Sequence, residues 1–593
     1  MARPLVYIPE SIRAKINITQ QQRARFCSWW GFLTFYWKWI ALVLIPLLLS
    51  ALLAGDRGSK CAFVVILMAA YWALEIIPVA ITALIPLVLF PLLGVDEAST
   101  VSANYMKDSN FLFIGGLMFA LAFEQCNLHR RIALKVLIII GTEPNRLLVG
   151  FMLVTAFLSM WMSNTATTAM MLPIAIAMVT ESLKIQKANA VMKSPSYQEI
   201  VVNESDVEAH ALDDPPSQPD PGTSASDGLG ELSSASAEDQ KMSRGLFLSI
   251  CYSATIGGSA TLTGTGPNVV LAGQLETRYH GESGVTFLNW MLFAVPYVIV
   301  DLILAWIWLW LLYLPKRRQT SGSSSAAVKH CLQQKYKDMG PVTFGQKALM
   351  ILFAILVVLW LFRDPGFMPG WAGLFEDGFV SDSTAVMTLV LFLFIVPCNW
   401  PNRFNGSMPE TLLTMNILQH RFPWQIVLLL GGGFAMGDGV TNSGLAMSIG
   451  QYFSDNLHLP PWVFVLVIFI AIIMLTEFCS NVATATIFIP LVASVAEGLH
   501  TNPLYFMFAV TLASSFAFML PVATPPNAVV FATGVVRIKH MMLAGMGMNL
   551  ICLVVALVSL HTIGTWVFHL NDYPHWAPQT VNTTLAVITS TIS

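Results

Sequence analysis

The stretch Ser163-Asn164-Thr165-Ala166-Thr167, running on to Leu172-Pro173, recurs downstream as Ser480-Asn481-Val482-Ala483-Thr484, running on to Ile489-Pro490. The two copies keep one constant offset, with no gap needed from Gly115-Gly116 to Pro173 in the first and from Gly432-Gly433 to Pro490 in the second. One turn ahead of each motif, at that same offset, stands a hydroxyl: Ser159 before Ser163 and Thr476 before Ser480. A second pair follows, Thr265-Gly266-Pro267-Asn268-Val269-Val270 and Thr524-Pro525-Pro526-Asn527-Ala528-Val529. Its offset is shorter because an acidic insert separates the two motifs in the first copy only. Internal repeats report a duplicated supersecondary unit.

Both motifs interrupt long apolar runs, and that is where their meaning lies. A chain in hydrocarbon must hydrogen-bond its own backbone, so Pro, Gly and Asn inside such runs break helices only where a cavity or a ligand takes up the freed groups. Asn and Thr at a break offer carbonyl and hydroxyl oxygens, the ligands that hard cations prefer. Helix N-termini at the same break offer N–H donors to an anion. A single Ser-Asn-Thr is ordinary helix-to-helix bonding. A duplicate in register points instead to a transporter-type site at the membrane midplane, with two cation sites flanking one anion site.

Composition agrees. Of 593 residues, 55% are hydrophobic and 11% charged, and the mean hydropathy is +0.66. Soluble domains carry about 25% charge, so too little is present to coat soluble surfaces. The net charge of −3 gives no basic body for nucleic acid. The eight cysteines include no Cys-x-x-Cys pair, which removes support for zinc ribbons and disulfide frameworks. No His-Glu-x-x-His or Gly-x-Ser-x-Gly motif supports an enzyme. Gly431-Gly432-Gly433 is not followed by Gly-Lys-Ser/Thr, so it reads as close helix packing rather than a phosphate loop. Among carboxylates in apolar surroundings (Glu75, Glu124, Asp301 and Glu477), Glu477 stands nearest a motif, and a structural bond to a hairpin or helix end is the reading favoured over a proton relay.

Apolar runs recur from residue 39 to residue 569, and about eleven crossings are expected at about 20 residues each. The fold class is therefore all-α, a polytopic membrane protein. Residues 1–36 form a cytoplasmic N-terminus, with Arg13, Lys15, Arg23 and Arg25. Residues 37–183 form the first membrane half. Residues 184–243, rich in Ser, Pro, Asp and Glu, read as a disordered cytoplasmic loop. Residues 244–314 hold the first broken helix, and 315–346 a basic cytoplasmic loop carrying Lys316, Arg317 and Arg318. Residues 347–569 form the second membrane half. The tail 570–593 has no Lys or Arg and contains Asn582-Thr583-Thr584, so it is placed outside the cell with Asn582 glycosylated. The sequons at Asn17 and Asn203 fall on the inside and are expected to be unused.

These motifs resemble the divalent anion/sodium symporter family, and more narrowly the animal sodium-coupled di- and tricarboxylate transporters, the Indy-like proteins. The resemblance rests on Ser163 to Met171, Gly264 to Asn268, Ser480 to Thr484 and Leu520 to Asn527, with Leu128 to Leu134 and Arg363 to Trp371 in support. It implies a plasma-membrane homodimer that imports citrate, succinate and related acids. Each protomer would have a scaffold domain and a transport domain, the latter carrying two re-entrant hairpins in an inverted repeat and moving as an elevator. It implies one sodium site on Ser159, Asn164 and Gly266, and another on Thr476, Asn481 and Pro525. The carboxylates would meet Ser163, Asn164, Thr165, Thr265, Ser480, Asn481 and Thr524, with Gly266 leaving room and Val482 shaping the pocket. More than one sodium ion would be co-transported. Val482 departs from the family's Thr, and Asp438 and Asn442 from its usual Lys and Glu. A sulfate carrier on the same fold is the alternative.

Overall fold

The apolar runs leave the backbone one economical solution, the helix, in which each peptide group bonds within its own segment. The computed structural model describes residues 29–141, 143–192, 236–314, 322–365, 368–376, 378–399, 410–456 and 460–578. Among these, every regular element is helical, and extended backbone pairs only at the isolated bridge of Pro397 with Thr411. Among the described residues, eight helices are long and apolar enough to cross a bilayer. Five shorter apolar helices accompany them: Val79–Leu93, Asn145–Ser159, Asp382–Leu393, Pro461–Thr476 and Pro503–Ser515. Three of these five, Asn145–Ser159, Pro461–Thr476 and Pro503–Ser515, belong to the repeat, whose helices are interrupted before they reach spanning length.

The chain opens with α1 (Trp29–Leu49) and α2 (Arg57–Leu74), and continues through α3 (Asp108–Gln125) and α4 (Leu128–Ile140). The first hairpin is α5 (Pro144–Ser159) with α6 (Asn164–Met192), followed by α7 (Ala237–Gly258), α8 (Gly266–Tyr279) and α9 (Phe287–Tyr313). Then come α10 (Gly322–Asp338), α11 (Phe344–Leu361), α12 (Asp382–Leu393) and α13 (Trp424–Asn442). The second hairpin is α14 (Pro461–Thr476) with α15 (Asn481–Gly498), followed by α16 (Pro503–Ser515), α17 (Pro525–Phe531) and α18 (Ile538–Ser559).

Proline and threonine set the repeated boundaries. Pro144 and Pro461 open the first arms of the hairpins, where the missing N–H costs nothing. Thr265 and Thr524 cap α8 and α17 in nearly the same extended conformation, φ −146° and −141°. The backbone between α7 and α8, and between α16 and α17, is unwound. Each hairpin packs against the long piece of its own broken helix and the short piece of the other: α5 and α6 on α7, with α6 also on α17; α14 and α15 on α16, with α15 also on α8. The halves therefore exchange their short pieces and interlock.

The glycine run acts as expected. On α13, a Cβ at Gly431 would fall 2.4 Å from the Tyr105 ring, at Gly432 2.3 Å from the Ala83 carbonyl oxygen, and at Gly433 2.3 Å from Thr486. One turn on, a Cβ at Gly437 would fall 2.4 Å from Gln274 Oε1 of α8, and Gln274 donates to the Gly433 carbonyl at 3.1 Å.

Two expected loops are shorter than charge and polarity suggested. Helix α6 runs on to Met192, past the boundary at 183, and α7 starts at Ala237, ahead of 244. The basic segment 315–346 contains α10, whose Ala, Leu, Gln and Lys are good helix formers whatever their charge. Arg131 secures its far end by donating to the Met339 and Gly340 carbonyls, each at 2.9 Å. Asn17, Asn203 and Asn582 lie outside the described residues.

Replacing Gly432 with Ala is expected to destabilise the protein by about 1–3 kcal/mol, because the new methyl group meets backbone that cannot move aside. A lower melting midpoint of the purified protein is the readout. Gly373, with nothing within 4 Å of a new Cβ, serves as the silent control.

Candidate functional site

The tip of the first hairpin is the break between Ser159, the last residue of α5, and Asn164, the first of α6. Across it, Ser159 Oγ lies 2.6 Å from Asn164 Oδ1 and 2.7 Å from the Ala254 carbonyl oxygen of α7. The second hairpin repeats this atom for atom. Thr476 Oγ1 lies 2.9 Å from Asn481 Oδ1 and 2.9 Å from the Ser514 carbonyl oxygen of α16. Each hydroxyl has one proton to donate and two acceptors to choose between. Each half thus gathers three oxygens around one hydrogen, an excess of lone pairs that a small hard cation satisfies. Ser159 and Thr476 are fully buried.

The unwound segments are held by side chains, again in duplicate. Asn268 Nδ2 donates to the carbonyls of Ser259 (3.1 Å) and Thr261 (2.8 Å). Asn527 Nδ2 donates to those of Ala517 (3.0 Å) and Leu520 (3.1 Å). Both Oδ1 atoms are buried with no partner, as is Thr524 Oγ1. Four helices, α6, α8, α15 and α17, begin at these breaks, and each leaves N–H groups without an intrahelical acceptor.

Each hairpin tip is also tied to an unwound segment, but differently. In the first half Thr261 Oγ1 donates to the Met160 carbonyl at 2.6 Å. In the second, buried Glu477 accepts from the backbone N–H groups of Phe518, Met519 and Leu520 at 3.0–3.1 Å and from Asn549 Nδ2 at 2.8 Å. This is the structural bond anticipated for Glu477.

Ser163, Asn164, Thr165, Thr265, Gly266, Ser480, Asn481 and Val482 are all half-buried, while the groups behind them are buried. Ser163 Oγ accepts from Ala166 N at 3.2 Å, whereas Ser480 makes no such cap. Thr524 is buried and Pro525, opening α17, is exposed. Gly266 joins the two halves: a Cβ there would fall 2.2 Å from Val482 of the opposite hairpin. The glycine that lies on Asn164 is Gly258, where a Cβ would sit 2.4 Å from Oδ1.

Sequence reasoning missed Gly258, the pinning roles of Asn268 and Asn527, and the carbonyls of Ala254 and Ser514. The two asparagines stood inside the repeated motif. The carbonyls are backbone atoms and leave no trace in residue type. Asp438 and Asn442, which depart from the family pattern, find partners of their own: Lys107 Nζ at 3.2 Å from Asp438, and Asn442 Nδ2 at 2.9 Å from Asp96. Glu124 pairs with Arg421 at 2.9 Å. Asp301 is fully buried with neither oxygen hydrogen-bonded.

Twin broken hairpins interlocked with twin unwound helices define a polytopic, all-helical membrane protein built on an internal repeat. The family model described as "Sodium:sulfate symporter transmembrane region" matches residues 28–570, and the chain belongs to that family. It is 41% identical over 551 residues, covering 91% of this chain and 92% of the relative, to the sodium-dependent low-affinity dicarboxylate transporter 1 of Caenorhabditis elegans. It is 40% identical to the Na(+)/citrate cotransporter of Rattus norvegicus, over 93% of this chain and 99% of that one. It is likewise 40% identical to the Na(+)/dicarboxylate cotransporter 3 of Homo sapiens, over 90% and 92%. Among solved structures, Neisseria gonorrhoeae MtrF matches at 11% identity and a TM-score of 0.45, covering 80% of this chain and 84% of that one.

Changing Glu477 to Gln places an NH2 group where only acceptors serve the three N–H donors of 518–520. A loss of about 1–3 kcal/mol is expected, measured as a lower melting midpoint, with Glu477→Ala falling further.

Proposed function

We propose that this chain is a sodium-coupled symporter that carries di- and tricarboxylates, citrate and succinate among them, across the plasma membrane into the cell. The observation that carries this reading is the matched pair of oxygen clusters, Ser159–Asn164–Ala254 and Thr476–Asn481–Ser514. The names of the relatives, sodium-dependent dicarboxylate and citrate transporters, support the same choice.

One sodium ion is assigned to Ser159, Asn164 and Gly266, and a second to Thr476, Asn481 and Pro525. The substrate carboxylates lie between them, on Ser163, Asn164, Thr165, Thr265, Ser480, Asn481 and Thr524. Gly266 and Val482 shape the space. The repeated motifs contain no Lys or Arg to neutralise an anion. Moving an uncompensated anion into a low-dielectric medium costs on the order of 20 kcal/mol by an idealised Born argument. Sodium ions bound beside it remove most of that cost. They bind first and order the hairpin tips, and the anion follows. A partly loaded carrier then crosses poorly, and this couples the two fluxes. Each net positive charge carried inward gains about 2.3 kcal/mol per 100 mV.

The carrier works as a homodimer. The hairpins and broken helices travel as an elevator against a scaffold, with the N-terminus inside, the C-terminal tail outside and Asn582 glycosylated. The family's description names sulfate, which favours an inorganic oxyanion as the second reading.

Uptake of radiolabelled citrate, succinate and sulfate into proteoliposomes, with and without a sodium gradient, tests both readings. Saturable carboxylate uptake with a sodium Hill slope above one is expected, and excess citrate or succinate should block it. Uptake indifferent to sodium would overturn the coupling, and sulfate uptake untouched by citrate would move the assignment to the oxyanion. Thr476→Val, which deletes one oxygen of the second cluster, should raise the half-saturating sodium concentration about tenfold, equivalent to about 1.4 kcal/mol.

A further inference from the structure

Cys126 ends α3 as its C-terminal cap, and Cys398 stands in the bridged segment after α12. Far apart in sequence, their Sγ atoms lie 3.7 Å from each other. Both residues are free and half-buried. In a disulfide the sulfurs would close to about 2.05 Å.

The pair is held in place by one helix start. Gln346 Nε2 donates to the Cys126 carbonyl at 2.9 Å, and its neighbour Gly345 N donates to the Cys398 carbonyl at 2.8 Å. A Cβ at Gly345 would fall 2.5 Å from that same carbonyl oxygen, so only glycine admits this approach. Cys398 N is engaged as well, donating to the Glu410 carbonyl at 2.7 Å. Cys398 Sγ also donates to the Thr411 carbonyl oxygen at 3.2 Å, which fixes its side chain beside Cys126. The thiolate is the reacting form of either thiol.

Their position gives the pair leverage. Asn127, next to Cys126, takes the left-handed conformation at φ 52° and turns the chain from α3 into α4. Helix α4 leads into α5, on which it packs, so the covalent path from α3 to the first hairpin runs through this elbow. A bond from Cys126 to Cys398 would tie the elbow to the segment around Pro397 and Thr411.

We propose that Cys126 and Cys398 form a reversible thiol–disulfide pair whose oxidation by a hydroperoxide locks the α3–α4 elbow and slows transport. One of the two thiols loses its proton and attacks the peroxide; the O–O bond breaks, leaving a sulfenic acid, and the departing alkoxide takes up that proton to leave as an alcohol, or as water from hydrogen peroxide. The second sulfur then attacks the sulfenic sulfur. The S–O bond breaks, and water leaves with the second thiol's proton. Two thiols give up two electrons and the hydroperoxide accepts them. A dithiol reverses the reaction by exchange. The slowing of transport rests on the proposed movement of the first hairpin; the formation of the bond does not.

The test uses the full chain in proteoliposomes treated with hydrogen peroxide. Non-reducing peptide mass spectrometry should find the Cys126–Cys398 linkage. Sodium-driven uptake should fall about fivefold or more, within the span of ordinary coupling energies, and dithiothreitol should restore it. Cys126→Ser and Cys398→Ser should each transport like the reduced protein and ignore peroxide. Hydrogen exchange across α4 should slow in the cross-linked protein, a readout that needs no uptake. Absence of the linked peptide, a linkage that leaves uptake and α4 exchange unchanged, or a peroxide effect that persists in both serine variants would overturn the proposal. Failure of the transport reading would show separately, as no sodium-driven uptake in the reduced protein.

Discussion

A peptide group inside a membrane must find a partner, and this constraint governs the polar centre of the molecule. Four breaks, at the two hairpin tips and the two unwound helices, release backbone groups that no helix can satisfy. The chain answers with a small set of side chains. Asn268 and Asn527 brace the unwound segments from within. Thr261 and Glu477 bind the hairpin tips to those segments. These pins hold the unwound segments in place, while the carbonyls of Ala254 and Ser514 stand beside Ser159 and Thr476. The site exists because helix formation has been prevented at chosen points, and the cost has been met locally.

The two halves are alike in plan and unlike in stiffness. In the first, one threonine hydroxyl bonds one carbonyl across the tip. In the second, Glu477 takes three consecutive peptide N–H groups and an amide, which fixes the conformation of 518–520 far more completely. The substitution of Val482 for the threonine of the first copy, Thr165, runs in the same direction. It removes a polar group and instead packs its methyl against Gly266 of the opposite half. The second hairpin tip is thus tied to its unwound segment by more hydrogen bonds than the first.

Much of this was legible in the residues. The constant offset between Asn164 and Asn481, the prolines at the start of each arm, and the Thr-x-Pro-Asn pair locate both broken helices from the sequence. Gly431 to Gly433 pack closely, as the lack of a following Gly-Lys-Ser/Thr implies. Other features were hidden. Charge made the segment containing α10 look like a loop, because polarity and helix propensity are separate properties of Lys and Gln. Cys126 and Cys398 gave no signal, since nothing in spacing reports a contact made through the start of a third element, Gly345 and Gln346.

By itself the sequence determined that the chain is helical, membrane-embedded and duplicated, and where its helices break, since these follow from hydrophobicity, from proline and from self-similarity along one dimension. Only the tertiary structure decided that each hairpin embraces the short helix of the other half, that the carbonyls of Ala254 and Ser514 complete the oxygen clusters, and which peptide groups Glu477 braces. Those outcomes depend on backbone atoms common to every residue and on distances across the fold, and neither leaves a mark on the order of side chains.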